Sequence, residues 1–185
     1  GNDQQRLTDI HSMFNNKQIN AIFSIRGGYG SGRLLDKIDY KLIRNNPKVF
    51  VGYSDICALQ MAFYAKCGLI TFAGPMAGVE MWKEIDPFTE EHFWTMLTSK
   101  KKYGVVKNPD GKELTTLNTG IASGRLLGGN LSLISSIIGS PYIPSFKKSL
   151  LFIEEIEEEC YRFDRMMNHL RIANILKETN GVIVG

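Results

Sequence analysis

The spacing of apolar and polar residues changes period several times along the chain, and each change predicts an element. Over residues 3–16, Leu7, Ile10, His11 and Phe14 recur at helical steps and share one face, so a helix is expected. "INAIFSI" (19–25) is a short β-rich run, with polar residues before it and glycines after it. "SGRLLDKIDYKLIRNN" (31–46) reads as helix or helix-like turn, stopped by Pro47. "KVFVGYS" (48–54) is a second apolar run of the kind that forms a buried strand. "DICALQMAFYAKCG" (55–68) is a helix with Gly68 as its C-terminal stop, and "LITFAG" (69–74) is a third strand candidate.

Further on, residues 86–104 predict a helix with a Pro-Phe-Thr entry and a basic exit. Residues 105–128 predict a turn at Asn108–Gly111 between strand-like runs. "NLSLISSIIGS" (130–140) is a helix rich in small residues. Residues 149–176 run from a strand through an acidic loop into a helix, and "GVIVG" (181–185) is a last strand. Strands and helices joined in this order by short links predict a parallel α/β layer structure. A chain that stops on a strand, which needs a neighbour and a continuation, is expected to be a fragment.

Composition narrows the class without naming a function. The 185 residues are 43% hydrophobic and 22% charged, a soluble globular profile. The net charge is +3, and the only dense basic block is Lys100–Lys102, which gives nucleic acid no support. The apolar runs are too short to span a bilayer. Cys57, Cys67 and Cys160 fit no metal-ligand spacing and read as free thiols in a reducing compartment.

Four constellations could carry chemistry. Gly52-Tyr53-Ser54-Asp55 lies where an apolar strand turns into a helix. A serine there presents its hydroxyl at the sheet edge beside free helix N–H groups, which suits a nucleophile with an oxyanion site. The same serine could simply cap the helix. Ile56 stands where the usual nucleophile elbow has glycine, which argues against a standard α/β-hydrolase. The second is "SIRGGYGSGR" (24–33), a glycine loop between strand and helix. Its spacing fits neither the dinucleotide fingerprint nor a P-loop, so it either brings backbone close to a ligand or only makes a turn. The third is the carboxylate run Glu154, Glu155, Glu157, Glu158 and Glu159. A solvated acidic loop is its plain reading, but Glu154 ends the strand and could be held, orient a histidine or bind a cation. The fourth, Gly128-Gly129-Asn130, precedes a helix as an anion or amide site, or as a cap. His11, His92 and His169 all fall within helical patterns and make poor candidates for a catalytic base.

In this order the pieces resemble the LD-carboxypeptidase family, which includes the muramoyltetrapeptide carboxypeptidases and the microcin C immunity peptidases. The resemblance runs through "RLTDIHSMF", "INAIFSIRGGYGSGRLLDKIDY", "VGYSDICAL", "GPM", "SGRLLGGNLSLISSIIGSPY" and "LLFIEEIEEECYRFDRMMNHL" and covers nearly the whole chain. It implies a flavodoxin-like parallel-sheet N-terminal domain, here partial over 1–104, and a smaller β-rich C-terminal domain, here partial over 121–185. Residues 105–120 would link them.

The resemblance makes Ser54 the nucleophile and Glu154 the acidic member of a Ser-Glu-His triad, with Glu155 the alternative if the register is off by one. The backbone N–H groups of Asp55 and Gly28 would form the oxyanion hole, and Arg26, Gly27 and Asn130 would lie near the substrate. The family's histidine follows a strand and loop beyond the last element, so the chain alone is expected to be inactive. The implied reaction releases a terminal D-alanine from the L,D-bond of murein tetrapeptide, without metal or cofactor. The implied setting is a cytoplasmic homodimer in peptidoglycan recycling, with no nucleic acid or membrane as partner. Two other readings stay open. One is a peptidase of the same fold acting on a microcin-type aminoacyl nucleotide, with Trp82 or Trp94 stacking on the base. The other is a non-catalytic module that holds a small anion in the glycine loop.

Overall fold

The computed structural model describes residues 1–109 and 112–185. Helix α1 (Asp3–Asn15) begins with a capping box, in which Asn2 and Gln5 each bond the other's backbone N–H. It buries Leu7 and Phe14, and His11 Nε2 accepts the N–H of Asp39. Strand β1 (Ala21–Phe23) pairs in parallel with β2 (Val49–Val51), Ile22 opposite Phe50. Between them, residues 31–46 do not form one helix. They split into a 3-10 turn (Ser31–Leu34) and helix α2 (Tyr40–Asn45), because Asp39 caps α2 afresh through Leu42 N.

Helix α3 (Cys57–Cys67) follows β2 and ends at Gly68, whose φ of 70° is the left-handed cap that glycine makes without strain. The strand expected at 69–74 is reduced to one bridge, Phe72 to Val51. The chain has just left the α3 cap at Gly68, and Pro75, with no N–H to donate, ends any ladder. The strand-like runs expected around 105–124 are also absent among the described residues, and Asp110 and Gly111 of the expected turn lie outside them.

The second half builds a parallel sheet, β3 (Arg125–Asn130), β4 (Ser149–Glu154) and β5 (Gly181–Val184), in that order. Helix α4 (Pro87–Thr98) precedes it, capped by Asp86 with proline in its first turn, where the missing N–H costs nothing. Helix α5 (Leu131–Ile137) leaves β3, and α6 (Cys160–Ile172) and α7 (Ile175–Glu178) join β4 to β5. One buried cluster runs through both halves. Phe14, Phe50 and Phe63 pack ring to ring at 5.0–6.2 Å, and the cluster continues through Cys57, Leu127, Leu131, Ile134, Leu151 and Leu170. That shared core fixes the C-terminal ends of β1 and β2 relative to those of β3 and β4. No helix among the described residues is long and apolar enough to cross a membrane.

Candidate active site

The approach to Ser54 is built by Gly52. A Cβ on Gly52 would meet Ile56 Cγ2 and Ser24 Oγ, each at 2.8 Å, so glycine lets the chain turn beneath the Ile56 side chain. Gly52 keeps the glycine that an ordinary elbow has two positions before its serine, and Ile56, at the position of the second glycine, packs over it. Gln60, on α3, donates to the carbonyls of Gly52 (2.8 Å) and Phe72 (2.9 Å) and holds the strand end in place. Tyr53 is extended, and Ser54 then takes φ 59°, in the left-handed region. For a residue with a side chain that conformation costs about 1–2 kcal/mol. Strain of this kind persists where surrounding structure enforces it, and it marks functional turns. The Ser54 hydroxyl caps neither the 3-10 turn it opens nor α3, so the capping role open to it in the sequence is not what it performs.

The glycine loop lies directly against this serine. A Cβ on Gly27 would be 3.0 Å from Ser54 Cβ, 3.0 Å from Ser54 Oγ and 3.6 Å from the backbone nitrogen of Asp55. Gly28 and Gly30 have φ of 114° and 108°, so the loop turns through conformations that suit glycine. Gly28 N follows Gly27 directly in the chain. Arg26 is exposed, with its guanidinium close over Gly28. It is not among the residues lining the cleft in front of Ser54.

That cleft is about 330 Å³ and is lined by Tyr53, Ser54 and Cys57 from one side and by Asn130, Phe152 and Glu154 from the other. The register places Asn130 opposite Glu154 at the ends of β3 and β4, and both line the cleft that Ser54 lines from the end of β2, which belongs to a separate two-stranded sheet. Burial raises the Glu154 carboxyl above its ordinary range; the Asn130 amide works against this and the neighbouring Glu155 charge adds to it. Glu155 is different. Burial pushes it up too, but its hydrogen bonds outweigh that and hold it below the usual range. Its carboxylate accepts from Ser132 N (2.9 Å), Ser132 Oγ (2.6 Å) and Asn130 Nδ2 (3.1 Å). Glu155 is thus tied to the start of α5, while Glu154 lines the cleft. Asn130 also caps α5, its Oδ1 accepting from Leu133 N at 3.1 Å, so it is both a cap and a wall of the cleft.

The close approach of β3 depends on Gly128 and Gly129. A Cβ on Gly128 would meet the Phe152 carbonyl oxygen at 1.7 Å, and one on Gly129 would meet Cys57 Sγ at 2.7 Å. Burial pushes the Cys57 thiol up to about 12, which keeps it protonated beside the cleft. Cys67 and Cys160 are also free thiols.

None of the three histidines lines this cleft. His11 bonds Asp39, His92 stacks on Phe88, and His169 shares a hydrogen bond with Ser135. Trp94 packs against Phe23 and Phe93, whereas Trp82 is 69% exposed. Three contributors went unread in the sequence. Tyr53 donates to the Glu80 carboxylate, and Glu80 also accepts Met76 N at 2.8 Å, fixing one wall of the cleft. Burial, with Glu80 and then Glu154 adding to it, raises the Tyr53 phenol to about 12. The buried Ser31 bonds the side chain of Asp55. Nothing in the sequence pattern pairs Tyr53 with Glu80, but Ser31 follows Gly30 at the start of a turn, where a serine commonly makes local bonds.

The sequence matches the LD-carboxypeptidase N-terminal domain over residues 1–74 and the LD-carboxypeptidase C-terminal domain over 123–185. It is 39% identical, over its whole length, to a probable murein peptide carboxypeptidase of Bacillus subtilis, and spans 57% of that protein. It is 31% identical to the microcin C7 self-immunity protein of Escherichia coli, spanning 61% of it. Among solved structures, the whole chain superposes on the muramoyltetrapeptide carboxypeptidase of Oxalobacter formigenes with a TM-score of 0.86 at 31% identity, covering 62% of that chain. A self-immunity-like protein from Bacillus anthracis gives 0.87 at 32% identity, with 63% covered. With both domains of one family matched over well over half its length, on a fold that superposes throughout, the chain belongs to the LD-carboxypeptidase family.

Proposed function

We propose that this chain carries the nucleophile, the oxyanion site and the acidic triad member of a serine-type LD-carboxypeptidase. The observation that carries the reading is Ser54 in a left-handed turn at a strand end, with Gly27 against its hydroxyl and Glu154 lining the same cleft. Ser54 Oγ attacks the carbonyl of the amide that joins an L-configured centre to a terminal D-amino acid. A histidine supplied from outside these 185 residues takes the Oγ proton and passes it to the leaving amine, as in other serine acyl transfer. Glu154 orients that histidine. A carboxyl whose ionised form is disfavoured by burial gains most from an imidazolium placed beside it.

The tetrahedral oxyanion accepts from the N–H groups of Asp55 and Gly28, each such donor being worth about 3 kcal/mol. Collapse releases the D-amino acid and leaves an ester on Ser54, which water then hydrolyses. Asn130 lines the cleft in which the substrate lies, and Gly27, packed against Ser54, and the exposed Arg26 bound it from outside that lining. In domain terms, 1–104 supplies Ser54, 121–185 supplies Glu154, and 105–120 links them. The substrate is a murein-derived tetrapeptide and the product D-alanine, in a cytoplasmic homodimer that serves peptidoglycan recycling.

The exposed Trp82 favours one second reading, an aminoacyl nucleotide whose base stacks on an indole. A substrate panel on the full-length protein separates the two. Release of D-alanine from an L,D-tetrapeptide, with none from a D,D-linked analogue and no cleavage of an aminoacyl sulfamoyl adenosine, supports the murein assignment. Cleavage of the nucleotide alone supports the other. Cleavage of neither removes the carboxypeptidase reading.

A further inference from the structure

Asp55 enters the proposed reaction through its backbone, yet its side chain is also committed. The residue is 3% exposed, and its Oδ2 accepts two bonds from Ser31, from the N–H at 3.0 Å and from Oγ at 2.7 Å. Ser31 is fully buried and stands at the far end of the glycine loop, directly after the left-handed Gly30. The near end of the loop, Gly27, lies against Ser54 and the Asp55 nitrogen. The loop over 27–31 therefore packs against Ser54 at one end and is hydrogen-bonded to Asp55 at the other. Arg6 adds a weaker tie to Ser31 Oγ at 3.5 Å from α1.

Neither salt bridge of the region reaches this point: Asp3 pairs with Arg33 and Lys37 on the outer surface. The two bonds from Ser31 to Asp55 are what connect the loop's far end to the nucleophile turn. The two oxyanion donors sit on different segments, Asp55 N on the turn and Gly28 N on the loop. Their separation is set by how the segments are joined.

We propose that the Asp55 side chain, through Ser31, is a positioning residue that holds the glycine loop in register with Ser54 and so sets the spacing of the oxyanion hole. The proposal rests on the acyl-transfer reading of Ser54. Because the oxyanion exists in full only during the reaction, misplacing a donor lowers kcat and leaves KM nearly untouched. A displacement of about 1 Å in such a site costs about 10²-fold.

The test is steady-state kinetics on an L,D-tetrapeptide with the full-length protein, with melting temperature recorded for every variant and Ser54→Ala run alongside. Asp55→Ala is expected to lose about 10²-fold in kcat with KM changed by less than about threefold. Asp55→Asn, whose amide oxygen still accepts from Ser31, is expected to recover most of that loss. Ser31→Ala, which keeps the N–H bond and loses only Oγ, is expected to fall between them, and adding it to Asp55→Ala should cost little more.

Should Asp55→Ala fail to fold, Asp55→Asn and Ser31→Ala carry the comparison. Wild-type kcat in Ser31→Ala, losses in the two single variants that multiply in the double variant, or losses in KM rather than kcat overturn the proposal while leaving Ser54 in place. Undiminished turnover by Ser54→Ala overturns the acyl-transfer reading itself, and the positioning role with it.

Discussion

Gly27→Ala adds one methyl group at the point where the glycine loop touches Ser54, the proposed nucleophile. The backbone at Gly27 is not in the left-handed region, so alanine adopts its conformation without strain and the whole effect is steric. The new carbon would stand 3.0 Å from Ser54 Cβ and 3.0 Å from Ser54 Oγ, inside ordinary van der Waals contact by a few tenths of an ångström. Ser54 is already held in a strained turn by Gly52, Ile56 and Gln60, so the turn has little freedom to yield. The hydroxyl must rotate, or the loop must lift and carry the Gly28 N–H away with it. Either shift is a fraction of the 1 Å that costs about 10²-fold, so kcat should fall about tenfold, or about 1.4 kcal/mol in the barrier. Fold stability should change by less than about 1 kcal/mol, because the contact is local and the cleft is open on one side.

The assay pairs D-alanine release by the full-length variant with its melting temperature. Gly32→Ala is the internal control, since its Cβ would meet nothing within 4 Å. Wild-type kcat in Gly27→Ala, or an equal loss in Gly32→Ala, would refute the placement of the loop against Ser54.

Other consequences follow from the strand ends. Glu154→Gln should abolish turnover yet melt at or above the wild-type temperature at neutral pH, as calorimetry would show. The carboxyl's folded pKa is raised, so the fold binds its proton more tightly than the unfolded chain does. Stability is then lost as pH rises from the ordinary carboxyl pKa through the raised one, and glutamine removes that loss. Glu155→Gln should behave in the opposite sense. Its folded pKa is lowered, so it contributes stability above the ordinary pKa that fades as pH falls through the lowered one. The variant should therefore melt below wild type at neutral pH, and the gap should close in acid. Gly129→Ala should be severely destabilised, since it combines a φ of 143° with a 2.7 Å approach to Cys57 Sγ; wild-type stability in urea titration would contradict the packing of β3 on α3.

The order of elements was legible because apolar spacing reports which face is buried. The helices at α1, α3 and α6 and the strands β1, β2 and β4 stand where that spacing put them, apart from frayed ends. The strand expected at 69–74 failed because one apolar run looks much like another; a glycine cap before it and Pro75 after it leave room for a single bridge. The Ser54 turn was legible as a strand-to-helix turn but not in its backbone geometry. Its left-handed backbone follows from the packing of Ile56 over Gly52, a contact no spacing rule reports. The choice between Glu154 and Glu155 stayed open for a similar reason. It depends on which carboxylate Ser132 and Asn130 occupy, and those partners lie more than twenty positions away in sequence.

The most direct test of the central claim is D-amino acid release from an L,D-tetrapeptide by the full-length protein and its Ser54→Ala variant, both shown folded by near-UV circular dichroism. The account predicts that removing this one hydroxyl lowers turnover by at least about 10³-fold with the fold unchanged. Turnover by Ser54→Ala within about tenfold of wild type would contradict it, because the strained serine would then have no part in the bond cleavage.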